Sequence, residues 1–118
     1  MTNQEMFDKM CQGLRAQGWQ QSRNDFAKCS YRGKDGLKCA AGHLMPDDVY
    51  QTAFDLGNAT VSMLPERVRT AMGVDSGNLL FVSSAQSAHD SGYLPVEMVQ
   101  RFKALAEKYG LNDAEAHL

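Results

Sequence analysis

Apolar residues at helical spacing, in stripes that each end near a glycine, run along most of this 118-residue chain. The first stripe contains Met6, Met10 and Leu14, and the spacing of Thr2 and Glu5 in front of it is typical of a capping box. Three later stripes begin at a proline and end at a glycine, which is the usual asymmetry of helix ends. We therefore predict helices over residues 3–17, 46–56, 65–72, 78–90 and 95–109.

The segment between the first two helices predicts a β-hairpin over residues 28–40. Two short strands flank the Gly-Lys-Asp-Gly sequence of residues 33–36, and an Asp-Gly pair is a strong hairpin signal. A three-residue loop over 33–35 would place Cys29 directly opposite Cys39, whereas a two-residue loop would separate the two thiols.

These elements predict a mostly α (α+β) fold, with about five helices around one small β-hairpin. We expect a single α-rich domain over residues 1–111, because 118 residues support one compact core. Residues 112–118 follow the last glycine stop, so we expect them to form a flexible tail.

Charge and hydropathy restrict the classes of function. A formal net charge of -2 argues against a strongly basic nucleic-acid binder. The sequence has no run of 18 apolar residues and no secretion signal of basic residues followed by an apolar stretch. We therefore expect a soluble cytoplasmic protein that binds neither a membrane nor a nucleic acid, and the sequence leaves its oligomeric state open.

The charge is unevenly distributed along the chain. Residues 1–38 contain seven Lys and Arg against four Asp and Glu, and residues 39–118 contain five against ten. A local positive surface of this kind can bind an acidic partner, and it alternatively can be a solvated face. The predicted partner-binding residues are Tyr31, Arg32, Lys34 and Lys38, and the predicted partner is a protein with an acidic surface.

Cysteine and histidine side chains offer a possible metal site. Tetrahedral zinc could be held by Cys29, Cys39, His43 and His89. However, the spacing lacks two cysteines separated by two to four residues, which structural zinc sites usually have. We therefore expect no cofactor and keep a zinc site as the alternative.

The same residues offer a catalytic alternative. Cys39 could act as a nucleophile with His89 or His43 as its base, and Asp90 or Asp47 could orient that base. We expect no catalytic residue, because most buried polar groups simply satisfy hydrogen bonds. In that interpretation His89 binds the loop after Cys39, and Arg32 pairs with Asp47.

Residues 29–47 read Cys-Ser-Tyr-Arg-Gly-Lys-Asp-Gly-Leu-Lys-Cys-Ala-Ala-Gly-His-Leu-Met-Pro-Asp. This segment resembles the signature of a widespread group of small uncharacterised phage, prophage and bacterial proteins, which is Cys-x-Tyr-Arg-Gly-x-Asp-Gly-x-Lys-Cys-Ala-x-Gly-x-Leu-Ile-Pro-Asp. The opening Asn-Gln-Glu-x-Phe-Asp helix and the late pair His89-Asp90 are also similar. The resemblance implies a phage or mobile-element protein that acts by binding a host protein.

The sequence thus predicts a small phage-type accessory protein that works in the host cytoplasm as a protein-binding module or inhibitor of a host protein. The expected partner is a host or phage protein. A host defence system of the CRISPR kind is one candidate target. Two alternatives remain, which are a small hydrolase dependent on Cys39 and His89 and a zinc-stabilised binding module.

Overall fold

The computed structural model describes residues 1–57 and 59–118. Within them the α-helices are α1 (Asn3–Ala16), α2 (Ala53–Leu56), α3 (Glu66–Met72), α4 (Leu79–Ser91) and α5 (Pro95–Tyr109). Short 3-10 turns cover Lys34–Gly36, Ala41–Leu44 and Val61–Met63. Each helix within these ranges is too short or too polar to span a lipid bilayer.

Four of the five predicted helices match the structure closely. Thr2 and Glu5 form the expected capping box at the start of α1. Gly73 and Gly110 end α3 and α5 with φ angles of 81° and 66°, in the left-handed region that glycine adopts without steric cost.

The predicted helix over residues 46–56 is wrong over residues 46–52, because α2 begins only at Ala53. Side-chain contacts hold the preceding residues in turns. The Asp47 carboxylate contacts Arg32 Nη2 at 2.7 Å, and Tyr50 donates a hydrogen bond from its hydroxyl to Asp55. Pro46 and two early carboxylates are a local helix-start signal, and these tertiary contacts override it.

The predicted β-hairpin over residues 28–40 is also wrong, so the fold is helical rather than α+β. Residues 1–57 and 59–118 contain no sheet, and the extended pairing is limited to two isolated bridges, Arg23 with Cys29 and Arg32 with Lys38. The first half of the predicted strand over 28–32 thus pairs with residues 22–24, which precede it in the sequence. The second half of the same strand pairs with residues 37–39, which follow it, so a continuous two-stranded ladder does not form.

Local geometry explains why the ladder stops. The turn covers residues 34–36 because Asp35 and Gly36 have φ angles of 58° and 73°, and this places Arg32 opposite Lys38. The Asp55 carboxylate accepts hydrogen bonds from the Tyr31 and Arg32 backbone N–H groups at 2.7 and 3.3 Å. The second predicted strand also ends early, because Ala40 has φ −54° and ψ −54° and leads directly into the Ala41–Leu44 turn.

Helices α1, α4 and α5 enclose the centre of the core. The Phe102 ring of α5 lies 6.1 Å from that of Phe7 in α1 and 5.8 Å from that of Trp19, measured between centroids. All three rings are buried. Burial of aromatic rings of this size is a large favourable contribution to the free energy of folding in a small domain.

The C-terminal segment, for which we predicted flexibility, contacts α1 and the Trp19 turn. The Trp19 indole Nε1 donates a hydrogen bond to the carbonyl of His117 at 2.8 Å. Arg15 lies 2.9 Å from a Glu115 carboxylate oxygen, and Ala116 is 1% exposed. These contacts place residues 115–117 against the core.

Candidate functional site

The predicted site residues lie in the segment over residues 29–47, which folds around internal contacts. The Arg32 guanidinium donates a hydrogen bond to the Met45 carbonyl at 3.1 Å and pairs with Asp47. It also lies over the Tyr50 ring, 4.6 Å from the centroid. The expected pairing of Arg32 with Asp47 is therefore confirmed, and this arginine stabilises the fold from within.

The other predicted partner-binding residues occupy different environments. Tyr31 is 6% exposed, and its hydroxyl donates a hydrogen bond to the Ala59 carbonyl at 2.6 Å. Lys38 lies 3.8 Å from the same Asp47 carboxylate oxygen that binds Arg32. Lys34 is more exposed and lies 3.5 Å from Asp25. Acidic neighbours thus offset much of the positive charge that the sequence places in this segment.

Cys39 is fully buried, and it does not pair with Cys29, because Cys29 forms its bridge with Arg23. Its sulfur accepts a hydrogen bond from the Gly42 backbone N–H at 3.3 Å. Burial raises the pKa of the Cys39 thiol well above its usual range, so the thiol stays protonated at neutral pH. A buried, protonated thiol is a poor nucleophile.

His43 packs against α1 and forms one well-defined hydrogen bond. The Gln17 Oε1 atom accepts from the Lys38 backbone N–H at 3.1 Å, which fixes the orientation of its amide. His43 Nε2 lies 2.9 Å from the same oxygen and therefore donates to it. Its Nδ1 faces Gly13, where a Cβ atom would lie 2.3 Å away. His43 is thus a packed side chain rather than a free ligand.

The tautomer of His89 follows from its two hydrogen bonds. The Ser22 backbone N–H donates to Nε2 at 3.0 Å, so Nε2 carries the lone pair. The ring proton therefore lies on Nδ1, which donates to Asp90 Oδ1 at 2.8 Å. We expected His89 to bind the loop after Cys39. The structure instead connects α4 to that loop through Gln86, whose Oε1 accepts from the Ala41 N–H at 3.0 Å.

A group of possible metal ligands is formed by Cys29, His89 and Asp90, whose donor atoms lie within 4.8 Å of one another. This group shares Cys29 and His89 with the zinc site considered from the sequence. Its third member, Asp90, was not among the ligands suggested by the sequence. A metal ion at His89 Nδ1 would have to displace its proton while the Ser22 N–H still occupies Nε2. The ring would then carry no proton on either nitrogen, which is unfavourable for imidazole. The hydrogen bonds of His89 therefore argue against metal binding by this group.

A cleft of about 350 Å³ lies beside this group, between α4, α2 and the segment over residues 59–61. Cys29 and Asp90 lie at its edge, and burial together with Asp90 raises the pKa of Cys29 to about 11. Apolar lining comes from Phe54, Ala59 and Val61. The cleft therefore combines an apolar wall with a carboxylate, which is the usual composition of a small-ligand site.

An exposed aromatic surface, which sequence analysis missed, lies next to this region. It consists of Arg23, Phe26 and Tyr93. The Phe26 side chain is 82% exposed and the Tyr93 side chain is 70% exposed. The Arg23 guanidinium links the loop that carries Phe26 to Tyr93, because it donates to the Ala27 carbonyl at 2.6 Å and lies 5.5 Å from the centroid of the Tyr93 ring.

The backbone that carries Phe26 is held in a defined conformation. The Asn24 side-chain oxygen accepts hydrogen bonds from the N–H groups of Phe26 and Lys28 at 2.8 and 3.1 Å. Ala27 has a φ angle of 60°, which is uncommon for a residue other than glycine. The sequence signal that could have identified this loop is Asn-Asp-Phe between polar residues, since asparagine favours such turns.

Comparison of the chain with protein-family models, with curated proteins and with solved structures gave no match.

Proposed function

We propose that this protein is a binding module that acts on a second protein through the aromatic surface. The observation that carries the proposal is a phenylalanine that is 82% exposed on a loop fixed by hydrogen bonds. Leaving a large apolar side chain in water forgoes about 1.5–3 kcal/mol of burial free energy. A protein partner that covers this side chain would recover part of that free energy, which supports a contact site on this loop.

The composition of the aromatic surface supports the same function. Arginine and tyrosine are enriched among the residues that contribute most to binding in protein interfaces. Arg23 already lies over the Tyr93 ring, and this contact reduces the conformational entropy that the two side chains lose when a partner binds. The aromatic surface is a better candidate than the basic segment, where Arg32 and Lys38 both contact Asp47.

The resemblance over residues 29–47 suggests what the partner is. Within the proposal, the protein belongs to the phage or mobile-element context and binds and inhibits a protein of the bacterial host, such as a component of a defence system. A hydrolase function has less support, because the Cys39 thiol is buried and His89 Nε2 accepts a backbone N–H. The proposed partner is a protein, and the proposal needs no metal.

Affinity capture from bacterial lysate with matched variants tests this proposal. We expect the wild type to retain a discrete partner and the double variant Phe26→Ser/Tyr93→Ser to lose it. Leu80→Ser is the control, because Leu80 is also strongly exposed, at 74%, but lies on the first turn of α4 outside the aromatic surface. Equal retention by the double variant and the wild type, or no partner retained by either, would contradict the proposal.

A further inference from the structure

Among the described residues, the cleft beside α4 is lined by two carboxylates and by no cationic side chain. Its ionisable residues with a formal charge at neutral pH are Asp55 and Asp90. In the described ranges, neither carboxylate has a lysine or arginine nitrogen within 4.0 Å. The cleft therefore has a negative potential that would favour a cationic ligand.

Acceptor groups follow one face of α4 along the cleft. Ser83, Ser87 and Asp90 are four and three residues apart, which places them on one side of the helix, and all three line the cleft. Two hydrogen bonds to the Asp90 carboxylate, from His89 Nδ1 and Gln86 Nε2, both end on Oδ1. Because a carboxylate has about four lone-pair sites, Asp90 retains capacity to accept further hydrogen bonds.

The opposite wall of the cleft is apolar, with Phe54, Ala59 and Val61. A planar cation with several donors on an aliphatic stem matches both walls. The guanidinium group of arginine has five N–H donors and is more weakly hydrated than an ammonium, so its transfer from water costs less. A volume of about 350 Å³ is sufficient for one such side chain.

The cleft and the aromatic surface are connected by hydrogen bonds. Gln21 donates from its side-chain nitrogen to the backbone carbonyl of Asp90 at 3.0 Å. Its side-chain oxygen accepts from Arg23 at 2.6 and 2.9 Å. A protein that covers Arg23 and Tyr93 is therefore close enough to insert a side chain between α4 and α2.

From this arrangement we propose that the cleft binds the guanidinium group of an arginine side chain of the partner protein. The Asp90 carboxylate accepts its hydrogen bonds, the Ser83 and Ser87 hydroxyls accept others, and Phe54 packs against the stem. This inference rests on the proposed function, because it names the chemistry of the same partner. The Cys29 thiol, which also lines the cleft, has no chemical role in this binding.

NMR titration with short peptides tests this inference directly. The probe is a capped Gly-Arg-Gly peptide, and its neutral counterpart carries citrulline in place of arginine. We expect the arginine peptide to shift the amide signals of residues 83–90 and to bind at least about tenfold more tightly than the citrulline peptide, because a charge-assisted hydrogen bond to a carboxylate is lost with citrulline. Agmatine, a free guanidinium compound, is the third probe.

Variants locate the binding site and separate it from nonspecific attraction. Asp90→Asn removes the charge but keeps an oxygen that can accept from His89 Nδ1, and we expect it to weaken the arginine peptide at least about tenfold. Ser87→Phe fills the cleft from an exposed helix position and is expected to abolish the shifts at residues 83–90. Asp113→Asn removes a carboxylate of the C-terminal segment, away from the cleft, and is expected to leave binding unchanged.

The outcomes distinguish this inference from the proposed function. Equal binding of the arginine and citrulline peptides, unchanged binding by Asp90→Asn, or binding of agmatine but not of the peptide would each overturn it. If the arginine peptide does not bind while retention of the partner still depends on Phe26, the cleft inference alone fails. If the peptide binds as expected and no Phe26-dependent partner exists, the proposed function fails.

Discussion

Acidification from pH 7 to pH 5 is expected to destabilise this protein, and His43 is expected to cause a defined part of the effect. Burial lowers the pKa of His43 from the usual 6.5 to about 4, with smaller contributions from Lys38 and His89. The packing explains the direction, because the ring already donates from Nε2 to Gln17 and a second proton on Nδ1 would face Gly13. A positive charge on this ring would therefore be buried without a partner for Nδ1.

The sign and size of the effect follow from proton linkage. Between pH 6.5 and pH 4 the unfolded chain binds a proton at His43 that the folded protein does not bind. Stability is therefore lost as the pH falls through this window and is fully present above it. Linkage gives a loss of about 2 kcal/mol between pH 7 and pH 5, and partial exposure of the ring reduces this to about 1–2 kcal/mol.

Urea unfolding of the wild type and of His43→Gln at pH 7 and pH 5 measures this contribution. Glutamine can still donate a hydrogen bond to Gln17 but does not titrate, so the variant is expected to lose about 1–2 kcal/mol less than the wild type over this pH range. All other titratable groups are common to both proteins and cancel in the difference. Equal losses in the two proteins would refute the linkage of stability to this ring.

Three further predictions concern packing, metal and surface. Gly42→Ala places a Cβ atom 2.3 Å from the Tyr31 carbonyl oxygen, so unfolding experiments should show a destabilisation of about 1–3 kcal/mol or more; a change below about 0.5 kcal/mol would show that the contact relaxes freely. Because the Ser22 N–H occupies Nε2 of His89, equimolar zinc is expected to leave the melting temperature unchanged, and a stabilisation of several degrees would reinstate a metal site. Phe26→Ser is expected to change the free energy of unfolding by no more than about 0.5 kcal/mol, since the side chain is 82% exposed, and a larger loss would show that Phe26 contributes to the fold.

The helices were predictable because their signals are local. The capping box of Thr2 and Glu5 and the glycines after α3 and α5 define helix ends within a few residues of sequence. The helix predicted to start at Pro46 does not form its first turn, because the Asp47 carboxylate there binds Arg32, which lies fifteen positions earlier in the sequence. Such contacts depend on the tertiary arrangement and leave no local pattern.

The hairpin and the site show the same limit. A turn was expected at the Gly-Lys-Asp-Gly sequence and is found there, with Asp35 and Gly36 at positive φ, but residue 29 pairs with residue 23 instead of continuing the ladder toward residue 39. The role of Ser22 as the donor to His89 Nε2 depends on the backbone path of the loop after Trp19, which the sequence pattern does not define. The exposure of Phe26 was not predictable from the sequence either, because an apolar residue in a short sequence window is ordinarily assigned to the core.

Site-specific photo-crosslinking tests the proposed binding surface most directly. A benzophenone amino acid in place of Phe26, expressed in bacterial cells, is expected to produce one discrete crosslinked protein. The same amino acid in place of Leu80, which is 74% exposed on α4, is expected not to produce that species. The same crosslinked protein from both positions, or none from position 26, would contradict a partner bound through the aromatic surface.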